Sequence, residues 1–495
     1  MNTPFHPGQL VMVNIAGKAL DAATAAFLRE HRFRAICLFR WNLGTPDEVR
    51  RLTADLREVM GEHALIGIDQ EGGSVVRSTF LPQAPAAMAL GAANDEAMTE
   101  EVGAAVARGL RSLGINWNFA PVLDVNNNPA NPVIAERSFG EDPVQVARLA
   151  GAWMRGSLRE GVACCVKHFP GHGDTHVDSH RDLPVVHKSL AALEALEFVP
   201  FRALREQAPA MMTAHIVYPQ LDGEHPATLS RRVLGTLLRE SWGYDGVVIT
   251  DSLVMKAIHD RYGHDRAAVL ALQAGADMVM ALGSQEEQLA AVKAIARAQA
   301  EGELDAAQLD RAKARLDRLA ERYPVRPADY TAAQAEHDDD LMHRAWAAGL
   351  TTLGTPPVLR RDKPLRVFTQ RGVPSDGVSE AGLSGAAVAE LFNGFADVEV
   401  VKLENLAELD WSTVLRDGRM NIIASNHRDR YGAQALRWRA DLHLALWNPY
   451  QVLDVPAPAV ITWGYATGAL VALRDWLERR TTAPGRTPVR LDGRR

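Results

Sequence analysis

The strongest constraint on this chain is a rhythm. From its start to about Arg322, short β-branched apolar runs alternate with longer amphipathic runs of helical period. The expected strands are Leu10–Ile15, Ala35–Phe39, Ala64–Asp69, Asn116–Asp124, Ala163–His168, Pro209–His215, Gly246–Asp251 and Asp277–Leu282. Between them fall expected helices at Asp47–Met60, Glu96–Leu113, Pro143–Arg159, Ser189–Glu206, Ser230–Ser241 and Arg266–Ala274. Strands that alternate with helices pair in parallel, because each crossover helix returns the chain to the same end of the sheet. Eight such strands in roughly 320 residues predict an α/β fold of the (β/α)8 TIM-barrel type over residues 1–322. An open doubly wound sheet competes, but no Gly-x-Gly-x-x-Gly turn follows the first strand.

Beyond the barrel, Tyr323–Asp340 carries two prolines and then Glu336-His337-Asp338-Asp339-Asp340, the pattern of a linker. A second α/β pattern fills residues 341–495, with strands expected near Leu365–Phe368, Val398–Val401, Asn421–Ala424, His443–Leu446 and Val460–Trp463. The helix Ala469–Arg480 follows, and the polar, Pro/Gly-bearing tail Thr481–Arg495 is expected to be loosely held. At about 150 residues this part suits a smaller αβα sandwich. It offers no phosphate-binding glycine motif and no compact titratable cluster, so its composition says little about its role.

A formal net charge of −7 over 495 residues gives no sign of nucleic-acid binding, and the apolar runs are too short and too often charged for a membrane span. The start, Met1–Gly8, lacks the basic and apolar regions of a signal peptide. Cys37, Cys164 and Cys165 are the only cysteines. Neighbouring residues on a strand face opposite ways, so Cys164 and Cys165 are read as buried thiols, in keeping with a cytoplasmic protein.

Chemistry collects where the strands end. The third strand closes in Asp69-Gln70-Glu71-Gly72-Gly73 with Arg77 shortly after, and the fourth runs to Asp124 and then Arg137-Ser138-Phe139-Gly140. The fifth opens into Lys167-His168-Phe169-Pro170-Gly171-His172-Gly173-Asp174-Thr175-His176-Val177-Asp178-Ser179-His180; the sixth ends near His215 and the seventh at Asp251. Polar groups at the same end of successive parallel strands converge on one mouth, which is where barrels place their chemistry. Asp251 is either a helix N-cap or a carboxylate displayed to attack an anomeric carbon. His168, His172, His176 and His180 recur every four residues, but Pro170, Gly171 and Gly173 forbid a regular helix there. A zinc-dependent hydrolase is thus a lesser reading than proton transfer, for which Asp178 stands two residues from His180 and can orient its ring. Arg77, Arg137 and Asp69 are the donors and acceptor that sugar hydroxyls and an acetamide require, and an inward-facing Lys167 or His168 must be paired or bind ligand. The glycines at 171 and 173 are expected to let the loop move and carry His180 to substrate.

These segments, together with Asn118-Phe119-Ala120-Pro121-Val122-Leu123-Asp124-Val125 and Thr250-Asp251-Ser252, resemble glycoside hydrolase family three, in its branch of bacterial β-N-acetylglucosaminidases of cell-wall recycling. The resemblance covers most of the first 320 residues or so, in family order. It implies a retaining exo-enzyme acting on muropeptides or chitooligosaccharides, with Asp251 as nucleophile and His180, paired with Asp178, as acid/base. It implies that Asp69, Arg77, Arg137, Lys167 and His168 hold the non-reducing N-acetylglucosamine, and that neither metal nor cofactor takes part. It also implies that, with the Asp178–His180 pair in place, the second domain need not supply the acid, which leaves it as structural support or a homodimer surface. Because an imidazole does not repel an anion as a carboxylate does, phosphorolysis is the variant that would use the same residues.

Overall fold

The computed structural model describes residues 6–180 and 182–491; the expectations for Met1–Phe5 and for Asp492–Arg495 lie outside the described residues. Eight parallel strands close into a barrel: β1 (Val11–Val13), β2 (Ala35–Leu38), β3 (Leu65–Ile68), β4 (Trp117–Asn118), β5 (Ala163–Phe169), β6 (Ala210–Thr213), β7 (Val247–Ser252) and β8 (Met278–Met280). They follow one another around the ring in chain order, and Val279 of β8 returns to lie opposite Val11 of β1. Every residue of β1, β2, β3 and β5 is buried, as strands covered on both faces must be. Helix starts are set locally. Thr45 and Glu48 form a reciprocal capping box ahead of Pro46–Met60, and Ser284 and Glu287 do the same ahead of Gln285–Ala300. Each such cap contributes about 1 kcal/mol.

The strand expected at Asn116–Asp124 pairs regularly only over Trp117–Asn118. Pro121 has no N–H to give to a ladder, so beyond Phe119 the chain keeps only a bridge, with Leu123 N donating to Lys167 O at 2.6 Å and Lys167 N to Pro121 O at 3.3 Å. The helix expected at Ser189–Glu206 is broken into Leu190–Ala195 and Phe198–Leu204. Between them Glu197 is drawn inward to the ammonium of Lys188, which also binds Asp174 at 2.9 Å.

The second sheet has six strands: β9 (Thr351–Leu353), β10 (Leu365–Gln370), β11 (Val398–Leu403), β12 (Met420–Ser425), β13 (Leu442–Ala445) and β14 (Ala459–Ile461). Their order is β9-β14-β13-β12-β10-β11, parallel except for β9 on β14. The edge strand β9 went unforeseen, since Thr351-Thr352-Leu353 is too short to signal itself.

Two segments differ from their expected character. The acidic run 336–340 is not linker but part of a helix, Ala332–Gly349, capped by Thr331. Asp338 on that helix is fully buried and takes two bonds from Arg108, at 2.5 and 3.1 Å, plus one from Tyr330 Oη at 3.0 Å. The tail is not loose over residues 485–491. Gly485 N donates to Leu350 O, Arg486 N to Ala92 O and Glu141 N to Pro488 O. Val489 and Leu491 are buried with Ala86, Met88, Ala89, Trp346 and Trp463. The tail therefore straps the second domain back onto the barrel, and apolar burial rather than composition decides its order.

Asp338→Ala removes one half of a buried ion pair, so the fold predicts a loss of about 3 kcal/mol or more. A solvated linker residue would cost under about 0.5 kcal/mol. Urea unfolding of the two proteins distinguishes the cases.

Candidate active site

At the carboxyl ends of the barrel strands lies a cavity of about 370 Å³. One arc of its wall, from β3 through β5, is polar: Asp69, Glu71, Arg77, Arg137, Lys167, His168 and His172. The facing arc is apolar, with Met212, Val254, Met255, Met280, Leu282, Phe39 and Trp41. Asp251 stands near the end of β7, among the strands that carry the apolar arc, and His180 reaches in from the loop after β5.

The polar arc is built on a hairpin that pairs Gln70–Gly72 with Val75–Val76. Gly72 and Gly73 turn it at φ of 108° and 59°, a left-handed pair that residues with a Cβ rarely adopt. Gln70 Oε1 accepts from the backbone N–H of Arg77 and Ser78, at 2.9 and 3.0 Å, and closes the turn. The hairpin thereby presents Asp69, Glu71 and Arg77 to one side. Lys167 projects from β5 and bonds Asp69 Oδ1 at 2.6 Å and Glu71 Oε1 at 2.7 Å. Arg137 forms a two-pronged bond to Glu71, Nε to Oε2 at 2.9 Å and Nη2 to Oε1 at 2.8 Å. Burial opposes every one of these charges. Arg137 and Lys167 nonetheless hold the Glu71 carboxyl far below the usual carboxylate range, and Asp69 with Glu71 holds the Lys167 ammonium above its ordinary value.

His168 is anchored from behind. Its Nδ1 lies 2.7 Å from Asp124 Oδ2, while Asp124 Oδ1 accepts the backbone N–H of His168 and of His172. Burial raises the Asp124 carboxyl, but these imidazoles outweigh it and bring it below its ordinary value. Asp124 thus fixes the ring face that His168 offers to the cavity.

The four histidines do different jobs. His172 is buried, and burial lowers it to about 4, so it is neutral at neutral pH. Its ring bridges Thr175 Oγ1 at 2.9 Å and Ser179 Oγ at 3.1 Å, which pins the loop at two points. His176 is exposed and sits beside Asn128. His180 places Nδ1 2.8 Å from Asp178 Oδ1, and its backbone N–H donates to the same oxygen at 2.9 Å. Burial raises Asp178, but its bond to the His180 ring dominates and takes the carboxyl down to about 2. Asp178 itself does not line the cavity; it stands behind His180. Among the described residues, no three His, Cys, Asp or Glu side chains are grouped so as to hold a metal ion.

Gly171 and Gly173 are not hinges in this arrangement. A Cβ on Gly173 would lie 1.7 Å from Val125 O, and Tyr218 Oη bonds Gly171 O. These glycines permit close approach, and the exposed stretch of the loop begins only at His176.

Asp251 is not a helix cap, since Met255 occupies that position ahead of Lys256–Tyr262. Its Oδ1 accepts from Ser252 N at 2.7 Å. Burial pushes its carboxyl up, but the imidazoles of His215, His168 and His180 outweigh this and keep it below its ordinary value. His215 is held by Thr228 Oγ1 at 2.8 Å and by Ser252 O at 2.9 Å, outside the cavity wall. Asp69, Arg77, Arg137, Lys167, His168, His180 and Asp251 are therefore brought to one cavity. Sequence reasoning gave Glu71 no role, although its alternation with Asp69 on the hairpin was a usable signal. It had no signal for Gly377 and Val378, through which the second domain lines the same cavity.

Residues 6–319 match the family model described as the glycosyl hydrolase family 3 N terminal domain. The chain belongs to glycosyl hydrolase family 3. It is 38% identical over 304 residues to a beta-hexosaminidase of Chromobacterium violaceum, covering 60% of this chain and 84% of that protein. It is similar along its whole length to a family 3 beta-N-acetylglucosaminidase from Paenibacillus sp. str. FPU-7, with TM-score 0.86, 32% identity and 98% of both chains covered. A beta-glucoside phosphorylase at 22% identity and TM-score 0.81, over 98% of this chain and 93% of that one, shares the fold.

Glu71 has a folded pKa below its unfolded value, so its contribution to stability is complete above the ordinary carboxylate range, about pH 4.3, and drains away as pH falls below it. Glu71→Gln should melt well below the parent at pH 7, and the gap should narrow as the pH is lowered towards about 3. A gap that is constant with pH contradicts the ion-pair assignment.

Proposed function

We propose that the chain is a retaining exo-β-N-acetylglucosaminidase. The reading is carried by one observation: a half-buried carboxylate on β7 and an imidazole on the β5 loop line the same cavity, beside a wall of fixed polar groups. In this reading the Asp251 carboxylate attacks C1 of the sugar while the glycosidic oxygen takes the proton of His180, and the aglycone leaves. A water then gives its proton to the neutral His180 as its oxygen attacks C1, which frees Asp251 and leaves the anomeric configuration as it began. Asp178 keeps the proton-bearing nitrogen of His180 on the cavity side and stabilises the charged ring. Asp251, held below the ordinary carboxylate range, is ionised and ready to attack at neutral pH.

Substrate choice follows from the two arcs. Asp69, Arg77, Arg137, Lys167 and His168 supply directed donors and acceptors for the hydroxyls of a terminal sugar. The apolar arc accommodates a methyl such as that of an acetamido group. The names of the similar proteins, beta-hexosaminidase and beta-N-acetylglucosaminidase, support the same sugar. Closure of one side by Gly377 and Val378 supports action at chain ends. Muropeptide or chitooligosaccharide ends are the substrates we assign, with a homodimer in the cytoplasm as the working form; three free, buried cysteines support a reducing compartment, and no helix among the described residues is long and apolar enough to cross a membrane.

An aryl β-N-acetylglucosaminide should be cleaved and an aryl β-glucoside far less, with no dependence on added phosphate. Asp251→Asn should reduce turnover to background. In kcat/KM, which reports the glycosylation step, His180→Ala should lose about 10²–10⁴-fold on poor leaving groups, and much less on activated aryl groups that need no acid. Equal losses on both leaving groups would remove His180 from the acid role, and sugar 1-phosphate formation would replace hydrolysis by phosphorolysis.

A further inference from the structure

Arg77 differs from the other cations of the polar arc. Arg137 and Lys167 are satisfied by acids of the barrel, whereas Arg77 Nη2 stands 4.0 Å from Asp69 Oδ2, beyond hydrogen-bond reach. Among the described residues its one short charged contact is Nη1 to Glu380 Oε1 at 2.9 Å, with a residue of the second domain. Arg77 is 8% exposed, lines the cavity, and its buried Nε has no partner among the described residues. Nη1 is thus fixed by Glu380, and Nη2 is the nitrogen left to meet a ligand.

Glu380 sits on a rigid support. Its N–H donates to Ser74 O at 2.8 Å, and its carbonyl accepts from Tyr465 Oη at 3.0 Å. In the preceding turn Asp376 Oδ1 accepts from Val378 N and Ser379 N, at 2.9 and 2.6 Å. Arg428 ties that turn to the barrel, bonding Ser379 Oγ at 2.8 Å and Val133 O at 2.6 Å. Val378 packs with Val75, Val133 and Ile134 from the barrel.

We propose that Glu380 is a positioning residue that holds Arg77 with Nη2 facing the bound sugar, so that the second domain is a working part of the sugar site. Without Glu380, Arg77 is free to swing onto Asp69, and the new pair takes both groups away from the sugar hydroxyls. This rests on the sugar site proposed above.

The test is steady-state kinetics on an aryl β-N-acetylglucosaminide. Glu380→Ala should raise KM about tenfold with a smaller change in kcat, the size expected when a charge-assisted bond is lost. Glu380→Gln keeps an acceptor and should recover part of the loss. In an Arg77→Ala background, Glu380→Ala should cost nothing further. Arg430→Ala provides the control: Arg430 bonds Asp454 and donates to Pro129 O at 3.0 Å, so its loss should lower Tm and leave KM unchanged. A raised KM in Arg77→Ala with an unchanged KM in both Glu380 variants would overturn the proposal, as would an equal Glu380→Ala penalty in both backgrounds. Wild-type kinetics in Arg77→Ala would instead remove Arg77 from the sugar site. If Glu380→Ala does not fold, Glu380→Gln decides on the same readouts.

Discussion

A lysine at the mouth of a barrel is an expensive residue, and the site depends on how that charge is balanced. Lys167 is 3% exposed at its side chain and is held by two carboxylates, Asp69 and Glu71, both delivered by the hairpin after β3. Glu71 in turn takes the fork of Arg137 from the loop after β4. Three successive strand ends are thereby locked to one another by charges that no member can leave without stranding the others. The arrangement is preorganised: donors and acceptors for a polar ligand stand in place before it arrives, so little reorganisation remains for the moment of reaction.

Order then passes outwards in layers. Asp124 orients His168 and ties down the start of the loop, and His172 pins that loop at Thr175 and Ser179. Only past this point does the chain become exposed, and there the Asp178–His180 pair is held by its own short-range bonds. The loop therefore has a buried, pinned root and an exposed tip, the arrangement that the acid/base role proposed for His180 calls for. The second domain closes the site from the side through Gly377 and Val378. It is held there by Trp447 Nε1 on Glu136 Oε1 at 2.8 Å, by Asn126 Nδ2 on Tyr450 Oη at 2.7 Å, and by the C-terminal strap.

Much of this was legible in the chain because its determinants are local. Apolar runs alternating with amphipathic helices reveal a barrel, and an acid or base at the end of a run reveals a mouth, since strand ends face one way in a parallel sheet. What escaped has tertiary causes. Nothing near residue 380 indicates that its carboxylate meets Arg77 across the domain boundary. The acidic run 336–340 reads as solvated until Arg108 is seen to bury Asp338, and the tail reads as loose until Val489 and Leu491 find the apolar patch around Ala86 and Trp346. Gly171 and Gly173 invite the idea of a hinge because sequence does not distinguish a glycine kept for freedom from one kept for space. The carbonyl of Val125 beside Gly173 makes that distinction.

The account turns on Asp251 becoming covalently attached to sugar while His180 serves the same bond. Rapid quenching of His180→Ala during turnover of an activated aryl β-N-acetylglucosaminide, followed by peptide mass spectrometry, tests this directly. The account predicts a single N-acetylhexosaminyl adduct on the peptide bearing Asp251, because the variant forms the intermediate with a good leaving group but resolves it slowly. An adduct on another residue, or burst kinetics with Asp251 unmodified, would contradict it.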